Sequence, residues 1–182
     1  MDINFLDNTQ SIGEAFVNRF VMSWEVFQMK QKDWIAAMAA TNYPINKAWY
    51  EQSYLWDRMN PDFPRVSMDE ALAFLRERSG SVFFMTEKGE DLFYQGKKLI
   101  DFIAETDAHD LAARIEQEWY DSYRLAEQNM NDTEAFLPDD LYVFDPSMKW
   151  CVVFTHETTD CVSEIHDPMK AAESRYCIIC QV

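Results

Sequence analysis

Two β-rich runs in the last third of the chain most constrain its fold. Residues 141–145 and 150–155 are mainly β-branched and aromatic, and they flank the turn-forming residues 146–149. This pattern is typical of a β-hairpin with a four-residue loop. Residues 175–182 form a further β-rich run. The sequence therefore predicts an antiparallel sheet built from the carboxyl-terminal part of the chain.

Helical signals dominate the first two-thirds of the chain. Ser11 with Glu14 and Ser67 with Glu70 have the spacing of capping boxes, in which both side chains satisfy free backbone N–H groups at a helix start. Gly80 stands where the second of these helices needs a left-handed residue to end. Apolar residues recur at helical spacing after the first box: Phe16, Val17, Phe20, Val21, Trp24 and Phe27.

Several further elements are predicted between these signals. Pro44 interrupts an aromatic segment and separates two helices, residues 81–86 have the pattern of a buried strand, and residues 99–103 suggest a short helix. Thr106 or Asp107 is expected to cap a longer helix. Its inward stripe is predicted to contain Leu111, Ile115, Trp119, Ser122 and Ala126.

These elements predict an α+β fold in which a helical N-terminal two-thirds packs on a C-terminal antiparallel β-sheet. The length of 182 residues suits a single domain over residues 1–182, helix-rich in 1–130 and strand-rich in 137–182. Hydrophobic residues make up 48% of the chain, which is enough for a substantial core.

Acidic residues outnumber basic ones by 32 to 16, so the formal net charge is −16. A field of this sign repels nucleic acid and anionic membranes, and it accelerates encounters with cationic partners. No stretch approaches the roughly 20 apolar residues that a membrane span needs. We therefore expect a basic protein partner, with no direct binding to nucleic acid and no membrane association.

The expected location is the cytoplasm. Residues 1–7 show neither the basic nor the apolar region of a secretory signal. The four cysteines are then expected to be reduced thiols. Cys177 and Cys180 have C-x-x-C spacing, but the intervening isoleucines indicate a strand, on which positions three apart face opposite sides. Both are therefore predicted to be small buried hydrophobic residues.

An alternative metal site comes from Cys151, His156, Cys161 and His166, which fall five residues apart. Thiolate and imidazole are suitable ligands for tetrahedral zinc, although structural sites more often use closely spaced pairs. His156 and Glu157 also begin like an H-E-x-x-H motif, but the second histidine is absent. No catalytic residue and no cofactor is predicted, and the chain is not expected to be an enzyme.

Negative charge is concentrated in residues 101–140, which contain twelve acidic and two basic residues. Arg114 is expected to pair with Asp110 or Glu118 one helical turn away. The other acidic side chains and nearby aromatic ones predict a docking surface for Lys and Arg, with a merely solvated face as the alternative. Its predicted residues are Glu116, Asp121, Glu127, Asp132, Glu134, Phe136, Asp139, Asp140, Tyr142 and Trp150.

In size and acidity the chain resembles small immunity proteins of bacterial toxin–immunity systems, many of which cap a basic nuclease or other toxin domain. Residues 137–145, continuing to Glu157, also look like a hairpin found in uncharacterised bacterial proteins. The first resemblance implies an inhibitor that neutralises a basic toxin domain by occlusion. A phage-type acidic inhibitor of a DNA-binding enzyme, and a metal-dependent enzyme using His156, Glu157 and cysteines, stay open. A homodimer through the aromatic helices also stays open.

Overall fold

The computed structural model describes the backbone of residues 1–87, 91–94, 97–127, 137, 140–158 and 175–182, and the side chains of 1–87, 99–118, 137, 140–157 and 176–182. The helices are α1 (Thr9–Phe20), α2 (Trp24–Lys30), α3 (Lys32–Ala40), α4 (Lys47–Gln52), α5 (Met68–Arg76) and α6 (Ala108–Glu127), with a 3₁₀ turn at Trp56–Arg58. The strands are β1 (Asn4–Phe5), β2 (Arg65–Val66), β3 (Ser81–Thr86), β4 (Asp91–Tyr94), β5 (Lys97–Ile100), β6 (Ile103–Asp107), β7 (Leu141–Phe144), β8 (Trp150–Thr158) and β9 (Arg175–Gln181).

Seven of the described strands form one antiparallel sheet in the order β1-β6-β3-β7-β8-β9-β2, and β4 pairs with β5 in a separate hairpin. The predicted hairpin is confirmed, because β7 pairs with β8 and Phe144 lies opposite Cys151. The carboxyl-terminal strand is confirmed as β9. The mixture of helices with an antiparallel sheet is therefore as predicted.

The separation into a helical part followed by a sheet holds only in part. Six of the strands in the described residues precede residue 130, and four of them (β1, β2, β3 and β6) join the main sheet. The short helix predicted over residues 99–103 is wrong, since this stretch contains the end of β5 and the start of β6. Its apolar residues are adjacent as well as alternating, and so short a run does not distinguish a helix from a strand.

Layers of side chains cover both faces of the sheet. Helices α5 and α6 pack on one face through Leu72, Leu75 and Leu111, among others. Helix α1 packs on the opposite face through Phe16 and Phe20. Alternation along each strand supplies both layers at once, as expected for a sheet covered on its two sides. Helices α2 to α4 enclose a separate aromatic cluster that includes Phe27 and Tyr50.

The C-x-x-C pair behaves as its spacing predicted. Cys177 belongs to the layer under α5 and α6, whereas Cys180 belongs to the layer under α1, and both are buried. The three described cysteines are free thiols. Cys151 lies opposite Cys180 in the β8–β9 ladder, and burial holds the pKa of its thiol well above the usual range. These residues therefore fill the core as small hydrophobic side chains.

The two predicted capping boxes differ in the structure. Ser67 and Glu70 form a complete box at the start of α5. Ser11 lies inside α1, which begins two residues earlier at Thr9, so the first box is wrong. The apolar stripe after it is also divided, because α1 ends at Phe20 and α2 begins at Trp24. Consequently Phe16 and Phe20 pack in the layer between α1 and the sheet, whereas Trp24 and Phe27 belong to the separate aromatic cluster of α2 to α4.

Other local signals are confirmed. Asp107 caps α6, since its Oδ1 accepts hydrogen bonds from the backbone N–H groups of His109 and Asp110 at 2.8 and 3.2 Å. Gly80 has the predicted left-handed φ, at +92°, but its predicted place at the end of α5 is wrong, because α5 ends at Arg76 and this glycine directly precedes β3. Within the described residues, no helix combines the length and apolar character needed to cross a membrane.

Candidate functional site

The residues predicted to form the acidic docking surface are only partly assembled. Glu116 forms an ion pair with Arg76 of α5 at 2.5 Å, so one of its carboxylate oxygens is occupied within the chain. Glu118 pairs with Arg114, as expected for side chains one turn apart, and it also accepts a hydrogen bond from the backbone of Leu137. The two glutamates on the described part of α6 are therefore already partnered.

Two of the predicted docking residues are inside the protein. Asp140 and Tyr142 are both 0% exposed, which corrects their assignment to a partner surface. Trp150 is half-buried, with its ring 5.6 Å from that of Phe74 and beneath the guanidinium of Arg78. The side chains of Asp121, Glu127, Asp132, Glu134, Phe136 and Asp139 lie outside the described residues.

Asp140 instead orients His156. One carboxylate oxygen accepts a hydrogen bond from the backbone N–H of His156 at 2.9 Å, and the other lies 2.8 Å from His156 Nδ1. Since a carboxylate only accepts, Nδ1 carries a proton in this contact. Nε2 faces Glu157 Oε1 at 3.5 Å. The imidazole is thus held in one orientation beside an exposed carboxylate.

A register shift places His156 at this site. On a regular strand His156 would point to the same face as Phe154, under α5 and α6. The pairing of β8 with β9 is irregular between Phe154 and Thr158, and bulges of this kind re-aim side chains. The His156 ring instead packs edge-on against Tyr54 and Trp56, with centroids 5.1 and 5.9 Å away.

A buried network lies beside the histidine. The Tyr142 hydroxyl donates to Glu87 Oε2 and accepts from the backbone N–H of Trp56 at 3.2 Å. Glu87 Oε2 also accepts from the backbone N–H of Leu55 at 3.0 Å. Burial and the Glu87 carboxylate keep the pKa of Tyr142 well above its usual range, so the hydroxyl retains its proton. This network fixes the turn that carries Trp56 against the sheet.

Five residues form what we call the aromatic–acidic cluster: Tyr54, Trp56, Asp57, His156 and Glu157. The Tyr54 and Trp56 rings are stacked, with centroids 5.6 Å apart and an interplanar angle of 8°. Burial raises the pKa of Asp57 to about 6, and repulsion by Glu157 and Glu87 adds to that effect. The cluster therefore combines aromatic faces with carboxylates that repel one another.

Comparisons with known protein families, with curated proteins and with solved structures found no match. The cluster must therefore be interpreted from its own chemistry. Aromatic faces attract guanidinium and ammonium groups, and neighbouring carboxylates increase that attraction. The arrangement of aromatic rings beside carboxylates is therefore suited to a cation.

The alternative metal site is not assembled by its described members. Cys151 is fully buried beside Cys180, while His156 is held by Asp140. Cys161 and His166 lie outside the described residues. Among the side chains that the structure describes, no group of three or more His, Cys, Asp or Glu residues is placed to hold a metal ion.

The aromatic–acidic cluster could be foreseen only in part from the sequence. The neighbours His156 and Glu157 drew attention because of their resemblance to a metalloprotease motif. Nothing in the linear pattern connects them with Tyr54, Trp56 and Asp57, a hundred residues earlier. The run of aromatic and acidic residue types at 54–57 was the available signal, and its meaning depends on contact with the bulged end of β8.

Proposed function

We propose that this protein is an acidic binding module that docks a basic protein partner, and that the aromatic–acidic cluster receives a Lys or Arg side chain of that partner. In the manner of an immunity protein, the partner would be a cationic toxin domain that is neutralised by occlusion. This proposal moves the contact from the predicted acidic surface to the described cluster.

The observation that carries the proposal is the repulsion among carboxylates next to stacked aromatic rings. Asp57 and Glu157 have no Lys or Arg in an ion pair among the described residues, and Arg58 is the weakest of the influences on Asp57. A cation entering the cluster would relieve this repulsion and stack on Tyr54, which is 40% exposed. The aromatic–acidic cluster should therefore be more stable with a cation bound than without one.

Two further properties support a protein partner. The net charge of −16 steers cationic surfaces towards the protein at a distance. Aromatic residues at an interface provide most of the binding energy, while charges set the encounter rate and the register. In this proposal Tyr54 and Trp56 supply the binding energy. The carboxylates of Asp57 and Glu157 set the encounter rate and the register.

The test uses the protein as bait in an extract of its native host, with a Tyr54→Ala/Glu157→Gln double variant as the matched control. We expect wild type to retain a basic protein that the double variant does not retain. The purified partner should bind with submicromolar affinity, and its association rate should fall as salt rises from about 50 mM to about 500 mM because steering is screened.

Two outcomes would contradict the proposal. One is that wild type and the double variant retain the same proteins, since the cluster then has no part in binding. The other is a retained partner that is acidic, or whose association rate does not change with salt. An Asp33→Asn variant, which removes one exposed carboxylate from α3, controls for a general loss of negative charge and should bind as wild type does.

A further inference from the structure

Helix α3 carries an apolar surface that the described part of the protein does not cover. Seven of its nine residues are apolar, and none of the nine is buried. Its inward contacts come from Ile35 and Met38, which are half-buried against the aromatic cluster of α2 to α4. Helices with so high a proportion of apolar residues are normally enclosed. Helix α3 thus has the composition of an enclosed helix in an exposed position.

The side of α3 that faces away from this cluster carries alanines. With about 3.6 residues per turn, Ala36, Ala37 and Ala40 lie on the side opposite Ile35 and Met38, and all three are exposed. An ordinary surface helix has polar residues on its outer side. Small side chains at this place allow a second helix to approach closely, because the distance between packed helices depends on the side chains at the contact.

A large aromatic side chain borders the alanines. Trp34 is 39% exposed, and its ring is held by the rings of Phe27 and Trp49 at centroid distances of 6.3 and 5.6 Å. A tryptophan in a fixed position is a typical anchor of a protein interface. We call Trp34, Ala36, Ala37 and Ala40 the α3 surface.

The charges of this part of the chain indicate what covers the α3 surface. Residues 24–52, which include α2, α3 and α4, contain three basic and three acidic residues, so the whole net charge of −16 is carried by the rest of the chain. A basic partner is attracted to the acidic parts and gains no such attraction here. A second copy of this protein is repelled by the acidic parts, and α3 lies where that repulsion is smallest.

Two neighbouring charges make the α3 surface complementary to itself. Lys32 and Asp33, in the first turn of α3, are exposed, and neither forms an ion pair among the described residues. In a two-fold symmetric pair the same patch meets itself, so residue i of one copy contacts residue j of the other and the reverse. Lys32 of each copy then faces Asp33 of the other.

We propose that a second copy of this chain docks on the α3 surface and forms a two-fold symmetric homodimer. The nine residues of α3 are about 14 Å long, so the contact is at the small end of protein interfaces. The dissociation constant is therefore expected to be about 10–100 µM. The contact uses no residue of the aromatic–acidic cluster, so it stands or fails separately from the proposed function.

The test is sedimentation velocity of the full chain at concentrations from about 5 µM to about 500 µM. We expect the mass to rise from that of a monomer to that of a dimer across this range. Raising the salt from about 50 mM to about 500 mM should tighten the dimer, because it screens the repulsion between two acidic molecules. Binding of the basic partner should respond to salt in the opposite direction, which distinguishes the two proposals.

Variants locate the interface and separate association from folding. Ala37→Glu places a charged side chain in the middle of the alanine side and should abolish the dimer while the melting temperature stays about the same, since the position is exposed. Ala73→Glu is the matched control, because it adds the same charge at an exposed alanine of α5 and should dimerise as wild type does.

A charge exchange tests the symmetry of the contact. Asp33→Lys should weaken the dimer about fivefold, although it lowers the net negative charge, because two lysines of each copy then face each other. The double variant Lys32→Asp/Asp33→Lys restores the opposite charges and should dimerise within about twofold of wild type. A contact governed only by net charge would instead become tighter in Asp33→Lys.

The proposal is overturned if wild type stays monomeric at about 500 µM, which is above the expected dissociation constant. It is also overturned if Ala37→Glu dimerises as wild type does, if Ala73→Glu disrupts the dimer equally, or if Asp33→Lys tightens it. A monomeric wild type that floats with phosphatidylcholine vesicles, and loses this property in Ala37→Glu, would assign the α3 surface to a membrane instead.

Discussion

Replacing Asp57 with asparagine should stabilise the protein at neutral pH. In the folded protein the pKa of Asp57 is raised from 3.8 to about 6, first by burial and then by repulsion from Glu157 and Glu87. Ionisation of this side chain therefore opposes folding. Asparagine keeps the size of the side chain and an oxygen that can accept the hydrogen bond from the backbone of Tyr54, but it removes the charge.

The magnitude follows from the two pKa values. A difference between 3.8 and about 6 corresponds to about 3 kcal/mol if it were felt in full. Because Asp57 is partly exposed, solvent screening should reduce this to about 1–2 kcal/mol. Between the two pKa values the folded state binds more protons than the unfolded state, so this group makes stability fall as pH rises from about 4 to about 6. Above about pH 6 the destabilisation caused by ionised Asp57 no longer changes with pH.

The assay is urea unfolding of wild type and Asp57→Asn at several pH values from about 4 to about 8. The difference in free energy of unfolding should be smallest near pH 4 and should reach its plateau of about 1–2 kcal/mol near pH 7. Asp33→Asn, at an exposed position on α3, should show no such pH-dependent difference. A difference between wild type and Asp57→Asn that is constant across this pH range, or that favours wild type at pH 8, would refute the reasoning.

Three other changes test the remaining structure. Ser67→Ala should destabilise the protein by about 1 kcal/mol in urea unfolding because it removes a complete capping box, whereas Ser11→Ala, inside α1, should be neutral or slightly stabilising. Tyr142→Phe should cost about 1–3 kcal/mol in the same assay because Glu87 loses a buried donor, and the loss should shrink in a Glu87→Gln background. Binding of the basic partner should weaken as pH falls below about 6, since protonation of Asp57 removes a charge that the partner's cation contacts; calorimetric titrations at pH 5 and pH 7 would check this.

The sequence predicted those parts of the fold that depend on local pattern. The β7–β8 hairpin, the capping box at Ser67 and the opposite faces of Cys177 and Cys180 all follow from short-range rules. What failed were decisions between two patterns that local sequence permits equally. Residues 99–103 contain enough apolar residues for either a helix or a strand, and the choice was made by pairing of β5 with β4 and of β6 with β3.

The assignment of Asp140 to the docking surface was wrong for a different reason. Charge composition says how many carboxylates the chain has, but not which of them will meet a donor from the same chain. Asp140 was counted with the exposed acids because it follows an acidic neighbour in a polar stretch. In the folded protein it is buried beneath His156, where two hydrogen bonds compensate for the loss of water.

The position of Asp140 also explains why the aromatic–acidic cluster can exist. Without a buried carboxylate to hold Nδ1, the imidazole of His156 would be free to adopt several rotamers and would not present Nε2 in a fixed direction. The irregular pairing of β8 brings that ring to Tyr54 and Trp56, and the hydrogen bond from the backbone of Trp56 to Tyr142 holds the turn in place. The site thus depends on a strand irregularity and on two buried polar contacts, and each of these is set by tertiary structure.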